Sequence, residues 1–319
     1  MIFFLFWTGI MQVVLSVIHW NYSKFLWHSE AYSLRISWYG LCFSLGILLS
    51  SVAAIYLASS CYSESDRCMF SKQQLRDALE NFALYSLLFI IPGARIAYVL
   101  FYGGHFYFQH PIEILKIWNG GLSSHGGIVG LLLWAMIYSK KYKKKIHTLT
   151  FLFICDLGAA VFGILAFLIR IGNFMNQEIV GIPTDLPWGV IFSSLSHGTS
   201  GIPLHPVQLY EGVSYLLLSS LLFFATYKRY LILGSGYAAS LSLIGIAVIR
   251  FFAEFFKSPQ GVVVSADSLL SMGQILSLPM FILGLSLGIC CFIRSKKISL
   301  HFLKSNKFIG KVFKNLCGR

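Results

Sequence analysis

Gly120-Gly121-Leu122-Ser123-Ser124-His125-Gly126-Gly127-Ile128-Val129-Gly130 opens a long apolar segment. Five glycines and a histidine stand where a membrane helix ordinarily carries bulky hydrophobes. Glycine lets another backbone, or a ligand, come close. A histidine in such a place is a neutral base, a hydrogen-bond donor or a ligand. The stretch predicts a membrane-embedded helix with a site at its beginning.

The rest of the chain agrees about the membrane. Of 319 residues, 56% are hydrophobic and only 12% charged, and the mean hydropathy is +0.72. A soluble globule carries about 25% charged residues. The apolar runs are roughly twenty residues long, enough to cross a bilayer. A membrane β-barrel would show alternating segments of about ten instead. The sequence therefore predicts an all-α, polytopic helical membrane protein. About seven spans are expected, near 38–60, 78–102, 121–138, 148–170, 206–227, 234–256 and 269–293.

The net charge of +13 is not a nucleic-acid footprint, because Lys and Arg collect on the cytoplasmic side of membrane proteins. Segments 61–77, 139–147, 228–233 and 294–319 hold 18 Lys and Arg, and segments 1–37, 103–120, 171–205 and 257–268 hold 4. The first set is expected in the cytoplasm. Residue 38 then begins outside and the C-terminus ends inside. Residues 1–18 are apolar and uncharged, and are either an extra anchor or an extension. Three regions are expected: an N-terminal extension over 1–35, a transmembrane catalytic domain over 36–293 and a basic cytoplasmic tail over 294–319. The seven cysteines lie in apolar spans or cytoplasmic loops, which argues against a disulfide framework. No zinc-type pairing of Cys and His is present, and the motifs require no metal or cofactor.

Charges inside a membrane are expensive and face a bundle interior or a cavity. Here they are Arg95, Asp156, Arg170, Glu211, Arg250 and Glu254, with Glu178 just beyond a span. Tyr39, Arg95, His125, Arg170, Glu211, Arg250 and Glu254 fall near the outer ends of their spans. That common depth predicts one site, opening outward. Arg250 and Glu254 are four apart on one helical face, the spacing of a mutual salt bridge. The run Arg170 to Gly181 concentrates a cation, amides and a carboxylate where a helix enters a loop. Arginines with amide donors suit a phosphate. From the residues alone, the ligand is an anionic amphiphile, and a transporter of an anionic solute is the alternative.

Over residues 36–290 the chain resembles the prolipoprotein diacylglyceryl transferases of bacteria. The anchors are Trp38-Tyr39-Gly40, Gly93-Ala94-Arg95 with Tyr98-Val99, His125-Gly126-Gly127 and the Arg170–Gly181 run. After these come His205-Pro206 with Gln208-Leu209-Tyr210-Glu211, Arg250 with Glu254-Phe255-Phe256, and Ser271-Met272-Gly273-Gln274 with Leu276-Ser277. Departures are Ile128 for leucine, Gln177 for glycine, Lys257 for arginine, and Ile246 where some members have tyrosine. The resemblance implies transfer of a diacylglyceryl group from phosphatidylglycerol to the lipobox cysteine of a preprolipoprotein, in the bacterial inner membrane. It implies that His125, Arg170 and Arg250 are catalytic. It implies that Tyr39, Arg95, Arg170, Asn173, Glu178, Gly181 and Glu254 bind phosphatidylglycerol, with Glu254 positioning Arg250. Membrane lipids and the lipobox segment are the implied partners.

Overall fold

Helix α5 (Phe151–Met175) is the axis of the structure. Thr150 caps it, its hydroxyl accepting from Phe153 N, and small residues line it. Gly163 lies so close to α6 (Val207–Tyr227) that a Cβ there would meet Tyr215 O at 2.3 Å. Gly172 lies against Tyr39 of α1 (Trp38–Ser60), where a Cβ would meet the Tyr39 ring at 2.9 Å. These approaches seat α1 and α6 directly on α5, with α7 (Tyr237–Ala253) also in contact. A computed structural model describes residues 18–29, 34–62, 69–117, 120–195, 200–258 and 270–316.

Two further pairs complete the bundle. Helix α2 (Lys72–Phe101) packs along α4 (Ser124–Tyr142), and α8 (Met272–Leu316) packs along α7. A short helix α3 (Phe106–Gln109) and a 3-10 turn at Pro111–Leu115 connect α2 to α4. The glycines of the opening stretch serve the α2–α4 seam. A Cβ on Gly126 would meet Gly93 O at 2.2 Å, and one on Gly130 would meet Phe89 O at 2.1 Å. Backbone, not ligand, makes the close approach that the glycines permit.

Among the described residues six helices are long and apolar enough to cross a membrane: α1, α2, α5, α6, α7 extended to Phe256, and α8 up to Lys296. The seventh expected span, α4, is a helix, but it begins Ser-His-Gly-Gly and ends in lysines, so it is less apolar than the six. Boundaries also move. Helix α2 starts at Lys72, six residues before the expected 78, because Ser71 and Gln74 form a reciprocal capping box. Helix α5 runs on to Met175, so Arg170 lies more than a turn inside it rather than at its end. Helix α8 continues through the basic tail to Leu316. The apolar N-terminal stretch up to residue 17 lies outside the described residues.

Four short strands were not expected from the sequence. β1 (Ile18–Trp20) runs parallel to β4 (Val190–Phe192), and β2 (Phe25–Ser29) pairs antiparallel with β3 (Leu34–Ser37). They sit at the bundle end opposite the lysine-rich one. There Phe174, Val190, Phe192 and Leu204 form a small core with Trp20. The larger core, around Leu57, Leu79, Tyr138, Leu149 and Leu157, lies at the lysine-rich end.

Asp156 is fully buried, yet it belongs to the scaffold. Its carboxylate accepts from Gly234 N, Gly236 N and Ala239 N at 2.8–2.9 Å, capping the start of α7. Asp156→Ala is expected to cost about 2–3 kcal/mol, because it strands buried N–H donors and a helix cap. A thermal midpoint unchanged in detergent would contradict this.

Candidate active site

Arg170 is where the site begins. Its stem crosses Gly212 of α6, where a Cβ would stand 3.1 Å from the Arg170 Cβ. Its guanidinium lies 2.6 Å from Glu211 Oε2 and donates to Asn173 Oδ1 at 3.2 Å. The 2.6 Å contact is an ion pair rather than a directed hydrogen bond, since Oε2 receives no well-aligned N–H. Glu211 has no solvent exposure, and its other oxygen is 2.8 Å from Lys257 Nζ. Lys257 also reaches Glu254 at 3.3 Å. Arg170, Glu211, Lys257 and Glu254 thus form one alternating chain of charge across α5, α6 and the end of α7.

The helix-end run folds back on this chain. Asn173 donates to Glu178 Oε1 at 2.8 Å and Asn176 to the same oxygen at 3.3 Å. Gln208, fully buried, donates to Glu178 O at 2.8 Å. The remaining amide oxygens of Asn176 and Gln208 are buried acceptors without a donor. Gln177 has φ +55°, a left-handed conformation that costs a side-chain-bearing residue roughly 1–2 kcal/mol. Gly181 lies between chains, where a Cβ would stand 2.5 Å from His205 and 2.7 Å from Phe256 O.

Several expected residues meet here: Arg170, Asn173, Glu178 and Gly181, with Tyr39 packed on Gly172 beside them. Arg250 is on α7, within electrostatic range of Tyr215, as is Arg170. The expected Arg250–Glu254 pair does not form. Helix α7 ends at Ala253 and residues Glu254–Phe256 tighten into a 3-10 turn. Residues three apart eclipse in such a turn, so Glu254 meets Lys257 instead. Its carboxylate also lies against Gly273, at the start of α8, where the helix dipole favours an anion. Among the described residues Arg250 has no salt bridge and no side-chain hydrogen bond.

Two further expected residues make no hydrogen bond or salt bridge to this cluster. Arg95 is 4% exposed and faces backbone only. It donates to Glu113 O, Ile114 O, Gly120 O and Gly121 O at 2.5–3.0 Å, with the Tyr107 ring 5.1 Å away. Every well-placed donor of Arg95 is spent on the α2–α4 connection, which leaves none for a phosphate. His125 is exposed at the start of α4, and its side chain makes no hydrogen bond among the described residues. Lys257 is the member that sequence reasoning left out of the site, and Glu211, placed there by its depth one turn inside an apolar helix, was given no role.

His205 and Tyr210 flank the cluster. Trp188 Nε1 donates to Tyr210 Oη at 2.7 Å, and the same hydroxyl is hydrogen-bonded with His205 Nδ1 at 3.1 Å. Burial lowers the His205 pKa from its ordinary value. An unfolded histidine takes a proton near pH 6.5, and the folded one does so only at lower pH. Acid therefore favours the unfolded chain. Stability is expected to fall as pH drops from 7.5 to 5.5, with a shallower fall in His205→Gln. Equal slopes for the two chains would count against this.

The geometry can be set beside known proteins. A family model described as prolipoprotein diacylglyceryl transferase matches residues 27–290, beginning ahead of residue 36. The chain belongs to the prolipoprotein diacylglyceryl transferase family. It is 67% identical over 287 residues to the phosphatidylglycerol–prolipoprotein diacylglyceryl transferase of Chlamydia caviae, covering 90% of this chain and 97% of that one. The protein of the same name from Chlamydia trachomatis is 52% identical, over 88% of this chain and all of its own length. That of Nitrosomonas europaea is 37% identical, over 80% and 85%. The chain is therefore a membrane-embedded bacterial enzyme, a diacylglyceryl transferase, and the solute-transporter alternative is not supported.

Proposed function

We propose that the enzyme transfers the diacylglyceryl group of phosphatidylglycerol to the lipobox cysteine thiol of a preprolipoprotein, at the outer face of the bacterial inner membrane. The cysteine sulfur forms a thioether bond to the glycerol carbon. The bond from that carbon to the phosphate oxygen breaks, and glycerol phosphate leaves as an anion. A free thiol has a pKa of about 8.5, so a base is needed near neutrality. His125, exposed and unpartnered among the described residues, takes that proton.

The observation that carries the reading is Arg250. Among the described residues Arg250 has no salt bridge, and a guanidinium at membrane depth is costly until an anion meets it. The phosphate of the lipid is that counter-charge, and Arg250 stabilises the charge developing on the leaving group. Arg170, anchored by Glu211 and Asn173, holds the headgroup side. Asn173 and Glu178 orient the headgroup hydroxyls, and the free amide oxygens of Asn176 and Gln208 are further acceptors beside them. Tyr39 flanks the lipid or peptide. Glu254 acts through Lys257, not through Arg250.

The test uses purified enzyme in detergent, phosphatidylglycerol and a lipobox peptide with one cysteine. Mass spectrometry is expected to find a diacylglyceryl adduct on that cysteine, with glycerol phosphate released. Both products should form at least about a hundredfold more slowly with His125→Ala or Arg250→Ala. Neither product from folded parent enzyme, beside an active reference, would end this reading.

A further inference from the structure

Helix α5 closes through two backbone hydrogen bonds, Glu178 N to Asn173 O at 3.1 Å and Gln177 N to Phe174 O at 3.0 Å. This nested pattern requires a left-handed residue at its turn. Gln177 supplies it, with φ +55°. A glutamine holds that conformation when its side chain is held, and here both ends of the amide are engaged. Gln177 is 1% exposed, donates Nε2–H to Tyr22 O at 3.2 Å, and accepts from Ser194 N at 2.8 Å. Its amide therefore clamps three segments together: the end of α5, the N-terminal segment, and the chain just after β4.

The N-terminal segment is pinned by other contacts to the same place. β1 runs beside β4, Ser193 N donates to Trp20 O at 3.2 Å, and the Trp20 ring lies 4.6 Å from that of Phe174. The residue after Gln177 is Glu178, whose carboxylate receives Asn173. Asn173 in turn receives Arg170. Any rotation at residue 177 is thus passed to Glu178, and from there to Arg170.

We infer that Gln177 is a positioning residue: through Tyr22 and Ser194 it fixes the turn that aligns Glu178 and Asn173 with Arg170, making the N-terminal segment part of the phospholipid-headgroup site. The headgroup assignment rests on the diacylglyceryl-transfer reading. The clamp itself rests on geometry alone.

The test uses the full chain in nanodiscs, with phosphatidylglycerol and a lipobox peptide. Gln177→Gly keeps the left-handed backbone and removes both side-chain bonds. Gln177→Glu keeps the acceptor for Ser194 and loses the donor to Tyr22. Backbone amide exchange is read over residues 18–25 and 173–181, alongside KM and kcat. In Gln177→Gly, exchange should quicken in both segments. KM for phosphatidylglycerol should rise at least about fivefold with kcat within about twofold, the signature of lost binding alignment. Gln177→Glu should fall between it and the parent. Parental exchange over 18–25, or faster exchange with parental KM, would overturn the inference. A parent that turns over no phosphatidylglycerol would overturn the transfer reading instead. Exchange over 173–181 would then decide the clamp by itself.

Discussion

Arg250→Ala is expected to lower kcat/KM by about 10²–10³-fold, the range for removing one donor that meets developing charge, with the thermal midpoint within about 2 °C of the parent. The two halves of this expectation come from one fact. Arg250 has no salt bridge and no side-chain hydrogen bond among the described residues, so its removal breaks nothing internal. The guanidinium is also half-buried, with its helix packed on α5, α6 and α8. Such a charge lowers its own cost only when an anion arrives. Arg250→Lys separates charge from shape. Lysine keeps the point charge but loses the planar fork that meets two phosphate oxygens. It should retain the fold and lose at least about tenfold in kcat/KM. Full turnover by Arg250→Lys would remove the bidentate clamp from the mechanism. A large loss of stability in either variant would show that Arg250 has a structural partner instead.

The same contrast shows what could be read from the sequence. Long uncharged runs are local, so the apolar helices were legible, though their ends move by as much as six residues at the start of α2 and further at the end of α8. The Arg170 to Gly181 run was legible for the same reason: its cation, amides and carboxylate interact within one turn and its loop. Pairings made by the tertiary fold were not. Glu211 reaches Arg170 and Lys257, which lie on other elements far along the chain. The spacing of Arg250 and Glu254 suggested a pair because it assumed an α-helix, and the 3-10 turn after Ala253 cancels that assumption. Arg95 looked like a ligand because a buried arginine needs acceptors. Sequence does not reveal that carbonyls of a following loop supply them. The glycines around His125 were ambiguous between ligand and backbone, and the Gly93–Gly126 contact resolves them. The four strands were missed because three to five residues of mixed polarity give too short a pattern to read.

Glu211→Gln is expected to destabilise the enzyme by about 3–5 kcal/mol, the usual cost of leaving buried charge uncompensated. That corresponds to a fall of about 4–8 °C in thermal midpoint for a chain of this size. The substitution preserves shape, so packing is not the cause. The parent carboxylate has no solvent exposure and stands between Arg170 at 2.6 Å and Lys257 at 2.8 Å. With a neutral amide there, two nearly buried cations face each other across α5 and the end of α7. Arg170 then loses the charge that holds it near Asn173, and kcat/KM should fall with stability. A second substitution tests the electrostatic cause. Lys257→Met removes one of the two stranded cations while keeping an unbranched side chain. The double variant Glu211→Gln, Lys257→Met should therefore recover part of the stability lost by Glu211→Gln alone, a coupling of about 1–3 kcal/mol. Activity should recover less, because Arg170 still lacks its anchor. Simple additivity of the two substitutions would mean that Lys257 is neutralised by Glu254 alone. A Glu211→Gln enzyme as stable as the parent would mean that solvent, and not this carboxylate, carries the charge of Arg170.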